Sequence, residues 1–175
     1  SLAVLFAAVL SSLNNSFSSV YISKTGYVAE LVRTGAVSSA VTFEELEEIK
    51  AENKNKRITG YSEIATVVSN KYGLTETGIK AVLTDIDYSF FYQKEMINGI
   101  FPDVQAFEKA EAYAVISDRL AFRLFKTTDV VENEINLLGW RFKIISVYRS
   151  NSSVVWDLCG DGFDRIYIPY NSIDN

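Results

Sequence analysis

The sequence predicts an α+β fold, with a predominantly helical body of about five to six helices and a C-terminal three-stranded antiparallel β-meander. Two observations indicate this fold. Before residue 126, apolar residues recur three or four apart in segments bounded by capping residues and glycines. After Trp140, three short apolar runs are separated by turn sequences. We expect a helical body at 1–126 and a short helix plus meander at 127–175, packed together as one domain.

The first predicted helix lies in residues 1–23, which contain no charged residue. Leu2, Leu5, Phe6 and Val9 stand at helical spacing and would form one apolar stripe. This stripe is predicted to pack in the chain's own core, to dock into a partner subunit, or to lie in a membrane or filament core. These alternatives stay open at the level of the sequence.

The middle of the chain predicts a series of capped helices. Thr42 and Glu45 form a capping box that predicts a helix from about 43 to 55. Ser62 and Thr75 can each cap a helix, and Gly73 between them predicts a helix pair that runs to about residue 98. Residues 107–126 predict another long helix, and DVVENEINLL, closed by a glycine, predicts a short one.

The predicted meander uses the runs WRFKIISVYR, VVWDL and RIYIPY. SNSS and CGDGFD separate them and read as turns. Pro169 lacks an N–H group for a ladder hydrogen bond, so the last strand is expected at a sheet edge.

Part of the helix pair resembles a known family. In VVSNKYGLTETGIKAVLTDI, the residues Lys71, Gly73, Leu74 and Thr75 and the following Ala-Val-Leu run resemble the opening helix pair of the HU/IHF histone-like family. The resemblance covers residues 62–99 and implies dimerising helices. The strand signature and basic β-arm that hold DNA in that family do not follow.

Composition weighs against nucleic acid and anionic membranes as partners. The chain has 17 Lys and Arg residues and 22 Asp and Glu residues, which gives a net charge of −5. Lys50, Lys54, Lys56 and Arg57 are interpreted as a solvated helix end. A winged-helix alternative uses DVVENEINLLG as recognition helix and residues 140–158 as wing, but that helix is acidic.

Enzymatic chemistry is not expected. The chain has no histidine, which excludes imidazole-based triads and imidazole metal ligands. Asp157, Asp161 and Asp164 are interpreted as turn residues, since they do not match an EF-hand loop. Cys159 is the only cysteine and is expected to be structural. No catalytic residue, cofactor or metal is predicted.

The predicted function is therefore that of a non-enzymatic structural or assembly protein that binds other protein chains, such as a virion or filament subunit. The alternative is a DNA-binding or transcription-related protein of winged-helix or histone-like type. With no disulfide framework and no intact signal peptide, an intracellular location or one within a particle is preferred. A membrane partner stays possible for residues 1–23 alone. The candidate interface residues are Leu2, Leu5, Phe6, Val9, Phe90, Phe91, Tyr92, Tyr167 and Tyr170.

Overall fold

A computed structural model describes residues 43–91, 94–101, 112–150 and 163–173. All of these residues belong to one compact unit, which spans residues 42–175. Leu2, Leu5, Phe6, Val9 and Tyr92 lie outside the described residues, as do Asp157, Cys159 and Asp161. For Phe90 and Phe91 the structure describes the backbone alone.

The described part of the chain is built mostly of strands, so the predicted helical body is wrong. Its two helices of eight residues or more are α1 (Phe43–Glu52) and α3 (Asp118–Phe125), with a single turn, α2 (Tyr88–Phe91), between them. A 3₁₀ turn follows the last strand at Tyr170–Ser172. The strands are β1 (Tyr61–Asn70), β2 (Thr75–Thr84), β3 (Met96–Gly99), β4 (Tyr113–Ser117), β5 (Glu134–Leu137), β6 (Trp140–Tyr148) and β7 (Asp164–Pro169).

Six of these strands close into a barrel. Around the barrel the order is β6-β4-β7-β2-β1-β5, and pairing of β5 with β6 completes the ring. The sheet is mixed, because β2–β7 and β4–β6 are parallel pairs and the others are antiparallel. Strand β3 adds to β6 beside the ring. Closure leaves few sheet edges to protect from other chains.

The helix pair predicted over residues 62–98 is instead the β1–β2 hairpin, followed by α2 and β3. Asn70 shapes its turn, since the side-chain oxygen accepts hydrogen bonds from the N–H groups of Tyr72 (2.9 Å) and Leu74 (3.0 Å). Gly73 has a φ of +83°, which favours glycine. Threonine and valine, which favour strands, are frequent on both sides of this turn. The histone-like resemblance therefore does not correspond to a helix pair.

The barrel interior forms the main core. Val68, Ile79, Ile116, Phe142 and Ile166 lie on five of its strands and are fully buried. Helix α3 adds a second layer to this core through Leu120, Ala121 and Leu124. The C-terminal part of the helix predicted over residues 107–126 is present as α3, whose apolar face is buried. Residues 113–117 of that prediction form β4, whose alternate residues face opposite sides of the sheet.

A second, smaller core covers the outer face of four adjoining strands. Val82, Tyr88, Val115, Tyr148 and Tyr167 are buried there. The partly buried Met96, Phe101 and Ile145 pack against them. Because both faces of β2, β4 and β7 are covered, their sequences show continuous apolar runs where a half-exposed strand would alternate.

The predicted C-terminal meander is also wrong. Its first and last runs are strands, β6 and β7, but they do not pair with each other; each pairs with β4. Strand β7 lies between β4 and β2, so Pro169 ends an interior strand and is not at an edge. The middle run, VVWDL, lies outside the described residues. The short helix predicted before Gly139 is the β5–β6 hairpin, whose two turn residues, Leu138 and Gly139, both have positive φ.

Candidate functional site

The first polar centre is the buried carboxylate of Asp85, which is 4% exposed. Its oxygens accept hydrogen bonds from Lys50 Nζ (2.6 Å), Thr59 Oγ1 (2.5 Å) and the Tyr88 N–H (3.1 Å). Burial acts to lower the pKa of Lys50, but the hydrogen bond and charge of Asp85, with further acidic neighbours, outweigh it and raise that pKa. This centre joins α1 to the end of β2. Lys50 is therefore part of the fold, and not simply a solvated helix end.

The second polar centre is Asp164, at the start of β7. Its buried carboxylate accepts a hydrogen bond from Ser117 Oγ (2.8 Å) and pairs with Arg119 (3.4 Å) and Arg123 (3.3 Å) of α3. Ser117 Oγ also accepts from the Leu120 N–H (3.0 Å), which makes Ser117 the N-cap of α3. Asp164 thus orients the cap and holds α3 against the barrel. These partners indicate that Asp164 has a structural role.

A third carboxylate, Asp118, links α3 to the end of β6. It accepts hydrogen bonds from the N–H (2.9 Å) and Oγ (2.6 Å) of Ser150 and from the Arg119 N–H (2.8 Å). Burial acts to raise the pKa of Asp118, but these hydrogen bonds outweigh it and lower the pKa below its usual value.

The lowered pKa of Asp118 predicts how the free energy of unfolding changes in acid. A depressed folded-state pKa contributes stability above the unfolded pKa, and this contribution is lost as the pH falls through the folded value. We expect Asp118→Asn to lower the free energy of unfolding near pH 7 and to flatten its decrease in acid. Urea unfolding at a series of pH values measures both effects. An unchanged acid slope in Asp118→Asn would contradict the assignment.

Of the candidate interface residues, Tyr167 and Tyr170 are those whose side chains the structure describes. Tyr167 is 4% exposed and lies in the smaller core between Tyr88 and Tyr148, with ring centroids 5.5 Å from each. Burial raises the pKa of Tyr167 to about 12. Tyr170 stacks on Phe43 of α1 at 3.9 Å. This chain itself covers much of both rings, and their role at an interface stays a prediction.

The basic residues expected on a DNA-binding wing are neutralised by acidic neighbours. Arg141 pairs with Glu134 at 3.6 Å, and Arg149 pairs with Glu95 at 3.1 Å. Lys143 forms an ion pair with Glu132. The supposed recognition helix is a turn and strand β5. Among the described residues of the predicted wing, 140–150, these pairs leave no joined positive face for phosphates.

Within residues 43–91, 94–101, 112–150 and 163–173, no three Cys, Asp or Glu side chains are grouped to hold a metal ion. In the same part of the chain, no helix has the length and apolar character needed to cross a bilayer.

The candidate functional surface is a set of exposed apolar side chains on the β1–β2 turn and on α3, which sequence reasoning missed. Tyr72 and Leu74 of the β1–β2 turn are 75% and 42% exposed, and Phe122 of α3 is 58% exposed. Asn70 holds the turn and the helix together by donating from Nδ2 to the Leu124 carbonyl at 2.6 Å. We call Tyr72, Leu74 and Phe122 the α3 rim. Exposed apolar residues carried on rigid elements are typical of protein-binding surfaces.

Comparison with known proteins identifies the family. A family model described as the MacB-like periplasmic core domain matches residues 1–175. The chain belongs to this family. A search of curated proteins found no match.

Two solved structures resemble this MacB-like domain. The extracellular domain of the ABC-type transporter YknZ from Gram-positive bacteria aligns with a TM-score of 0.62 and 15% identity, over 75% of this chain and 63% of that one. The periplasmic region of MacB from Actinobacillus actinomycetemcomitans aligns with a TM-score of 0.60 and 11% identity, over 77% and 57%. The chain thus spans less than two thirds of each, and at these identities the likeness shows the fold alone.

Membership of the MacB-like family corrects the predicted function and location. The chain is neither a virion or filament subunit nor a DNA-binding protein of winged-helix or histone-like type. The preference for an intracellular or particle location is also wrong, because the family is a periplasmic domain and both similar structures are extracytoplasmic regions.

Proposed function

We propose that this chain is the extracytoplasmic domain of an ABC-type transporter, where it binds other protein chains and catalyses no reaction. The family match over residues 1–175 carries the proposal. It implies protein partners within such a transporter and association with a membrane through it.

The described geometry supports a binding role. The polar centres at Asp85 and Asp164 are occupied by hydrogen bonds and ion pairs that join elements of the fold. A closed barrel of this kind is a rigid platform, and the α3 rim presents three exposed apolar side chains on it. Rigid apolar groups bind partners at a low entropic cost, since little motion is lost on association. We therefore propose the α3 rim as a protein-docking surface.

Cysteine labelling in intact cells tests the location. In a Cys159→Ser background, Phe122→Cys should react with a membrane-impermeant maleimide added outside the cytoplasmic membrane, because Phe122 is exposed. Leu120→Cys, two residues earlier and fully buried, should react only after denaturation. A cytoplasmic protein with an exposed cysteine serves as the second control. Labelling of Phe122→Cys only after cell lysis would overturn the extracytoplasmic assignment.

Purification from membranes tests the transporter assignment. The polypeptide that contains this chain should sediment with membranes and should carry, or co-purify with, an ATP-binding cassette. A photo-crosslinking amino acid at position 122 should then attach to another protein chain, whereas the same amino acid at the buried position 120 should not. Recovery without an ATP-binding cassette would contradict the proposal, and absence of adducts at position 122 would contradict docking at the α3 rim.

A further inference from the structure

The outer face of β5 carries a polar cleft. Its cavity of about 230 Å³ is lined by Lys71, Glu134, Asn136 and Arg141, and we call it the β5 cleft. This volume is room for about eight water molecules at about 30 Å³ each, and it is below the roughly 300–1,000 Å³ of pockets for drug-sized ligands. The β5 cleft therefore fits a ligand of about the size of an amino acid.

The strand register fixes three of the lining side chains on one face. Ile135 and Phe142 are fully buried in the main core, so their sequence neighbours Glu134, Asn136 and Arg141 point to the outer face of the barrel. Asn136 lies directly opposite Arg141 across the β5–β6 pair. Because β5 also pairs with β1 on its other side, the base of the cleft is a rigid piece of sheet.

Basic residues stand on either side of one carboxylate in the β5 cleft. Lys71 directly follows β1, Glu134 is on β5 and Arg141 is on β6. Since β5 lies between β1 and β6, Lys71 and Arg141 flank Glu134. The cleft thus offers places for a negative group and a positive group close together.

The polar groups of the β5 cleft have capacity for further partners. Arg141 Nη1 lies 3.6 Å from Glu134 Oε2, beyond the roughly 2.7–3.2 Å of an N–H···O hydrogen bond, and the two side chains are 70% and 48% exposed. The Lys71 ammonium lies 5.2 Å from the centroid of the Tyr72 ring and has no carboxylate partner among the described residues. Within the same residues, the Asn136 side chain has no hydrogen-bond partner.

We propose that the β5 cleft binds a free α-amino acid, with the ligand's carboxylate at Lys71 and Arg141 and its ammonium group at Glu134. Each charge in the cleft then gains an opposite charge, and closer contacts replace the loose one between Arg141 and Glu134. The Asn136 amide can donate to the carboxylate or accept from the ammonium group. Binding at this cleft does not require the transporter assignment, because it rests on the four lining residues.

Other small ions match the β5 cleft less well. A phosphate or another dianion would place its charge against the Glu134 carboxylate, and a simple cation would meet both Lys71 and Arg141. A ligand that carries one charge of each sign avoids both costs. The polar lining further favours an amino acid with a polar side chain.

Titration of the ¹⁵N-labelled 175-residue chain with L-glutamine, followed by NMR at low ionic strength, tests the site. The side-chain amide signal of Asn136 and the backbone signals of Glu134 and Arg141 should shift and saturate. We expect a dissociation constant of about 1 mM, because a small ligand in an open cleft makes few contacts.

Two analogues of L-glutamine each lack one of its charges. N-acetyl-L-glutamine has no ammonium group and resembles the C-terminus of a peptide, and L-glutamine amide has no carboxylate and resembles a peptide N-terminus. Each should bind about tenfold more weakly than L-glutamine, since it loses one charge-assisted contact. The two analogues therefore distinguish a free amino acid from either end of a peptide.

Three variants assign the ligand's charges to residues. Arg141→Ala should weaken L-glutamine binding by about tenfold. Glu134→Gln should weaken binding of L-glutamine but not of N-acetyl-L-glutamine, because only the ammonium group lies at Glu134. Arg149→Ala is the matched control, since Arg149 is also an exposed arginine that pairs with a glutamate, Glu95 at 3.1 Å, and it should leave binding unchanged. The amide spectrum of each variant shows whether the fold is retained.

Several results would overturn the proposal. One is the lack of any saturating shift of the Asn136 amide. Another is an analogue, or inorganic phosphate, that binds as tightly as L-glutamine. The third is an equal effect of Arg141→Ala and Arg149→Ala on the dissociation constant.

Discussion

Replacement of Phe142 by alanine is expected to lower the free energy of unfolding by about 3–5 kcal/mol. Phe142 is fully buried in the barrel interior, where β6 pairs with β5 through Ile135 and Phe142 itself. Removing the ring takes away its burial energy and leaves a cavity that a closed ring of strands cannot collapse to fill. Urea unfolding followed by circular dichroism measures the loss.

Two further variants control the Phe142 prediction. Arg141→Ala changes the preceding residue, which is exposed and pairs loosely with Glu134, and should alter stability by about 0.5 kcal/mol or less. Phe142→Leu retains most of the volume and should cost clearly less than Phe142→Ala. If Phe142→Ala and Arg141→Ala have similar effects, Phe142 does not lie in the barrel core.

Replacement of Asp85 by alanine is the second substitution with a large expected effect, about 3 kcal/mol of destabilisation, because it removes one partner of a buried ion pair. It leaves the Thr59 hydroxyl and the Tyr88 N–H without their acceptor and removes the shortest of the ion pairs of Lys50. The same urea titration measures the loss.

Asp87→Ala is the matched control, because Asp87 also pairs with Lys50, at 3.4 Å, but is more exposed. It should cost about 1 kcal/mol or less. The double variant Asp85→Ala with Lys50→Met should lose less than the sum of the two single variants, since the two side chains interact directly. Additive losses would show that Lys50 and Asp85 do not stabilise each other.

Several elements were predictable because local sequence alone determines them. The capping box of Thr42 and Glu45 correctly predicted helix α1, whose acidic first turn suits the helix dipole. The runs at 140–149 and 165–170 were correctly predicted as strands, because aromatic and β-branched residues are dense there. These signals act over a few residues and need no distant partner.

The β1–β2 hairpin shows why most of the fold could not be predicted. Ile79, Val82 and Leu83 stand three or four residues apart, a spacing typical of one face of a helix. In the structure, within the segment predicted as a helix pair, Ile79 and Leu83 face the barrel interior, and Val82 faces the smaller core on the other side of the sheet. A strand buried on both faces loses its alternation, so periodicity cannot distinguish it from a short buried helix.

By itself, the sequence determined helix α1, the strand character of β6 and β7, and, through the lack of histidine, the exclusion of imidazole chemistry. Only the tertiary structure decided that residues 61–84 form a hairpin, that the strands close into a barrel, and that Tyr72, Leu74 and Phe122 are exposed. The physical reason is that β2 pairs with β7, which follows it by about 80 residues in the chain. Contacts between such distant segments select the fold among local alternatives of similar energy, and no short window of sequence contains them.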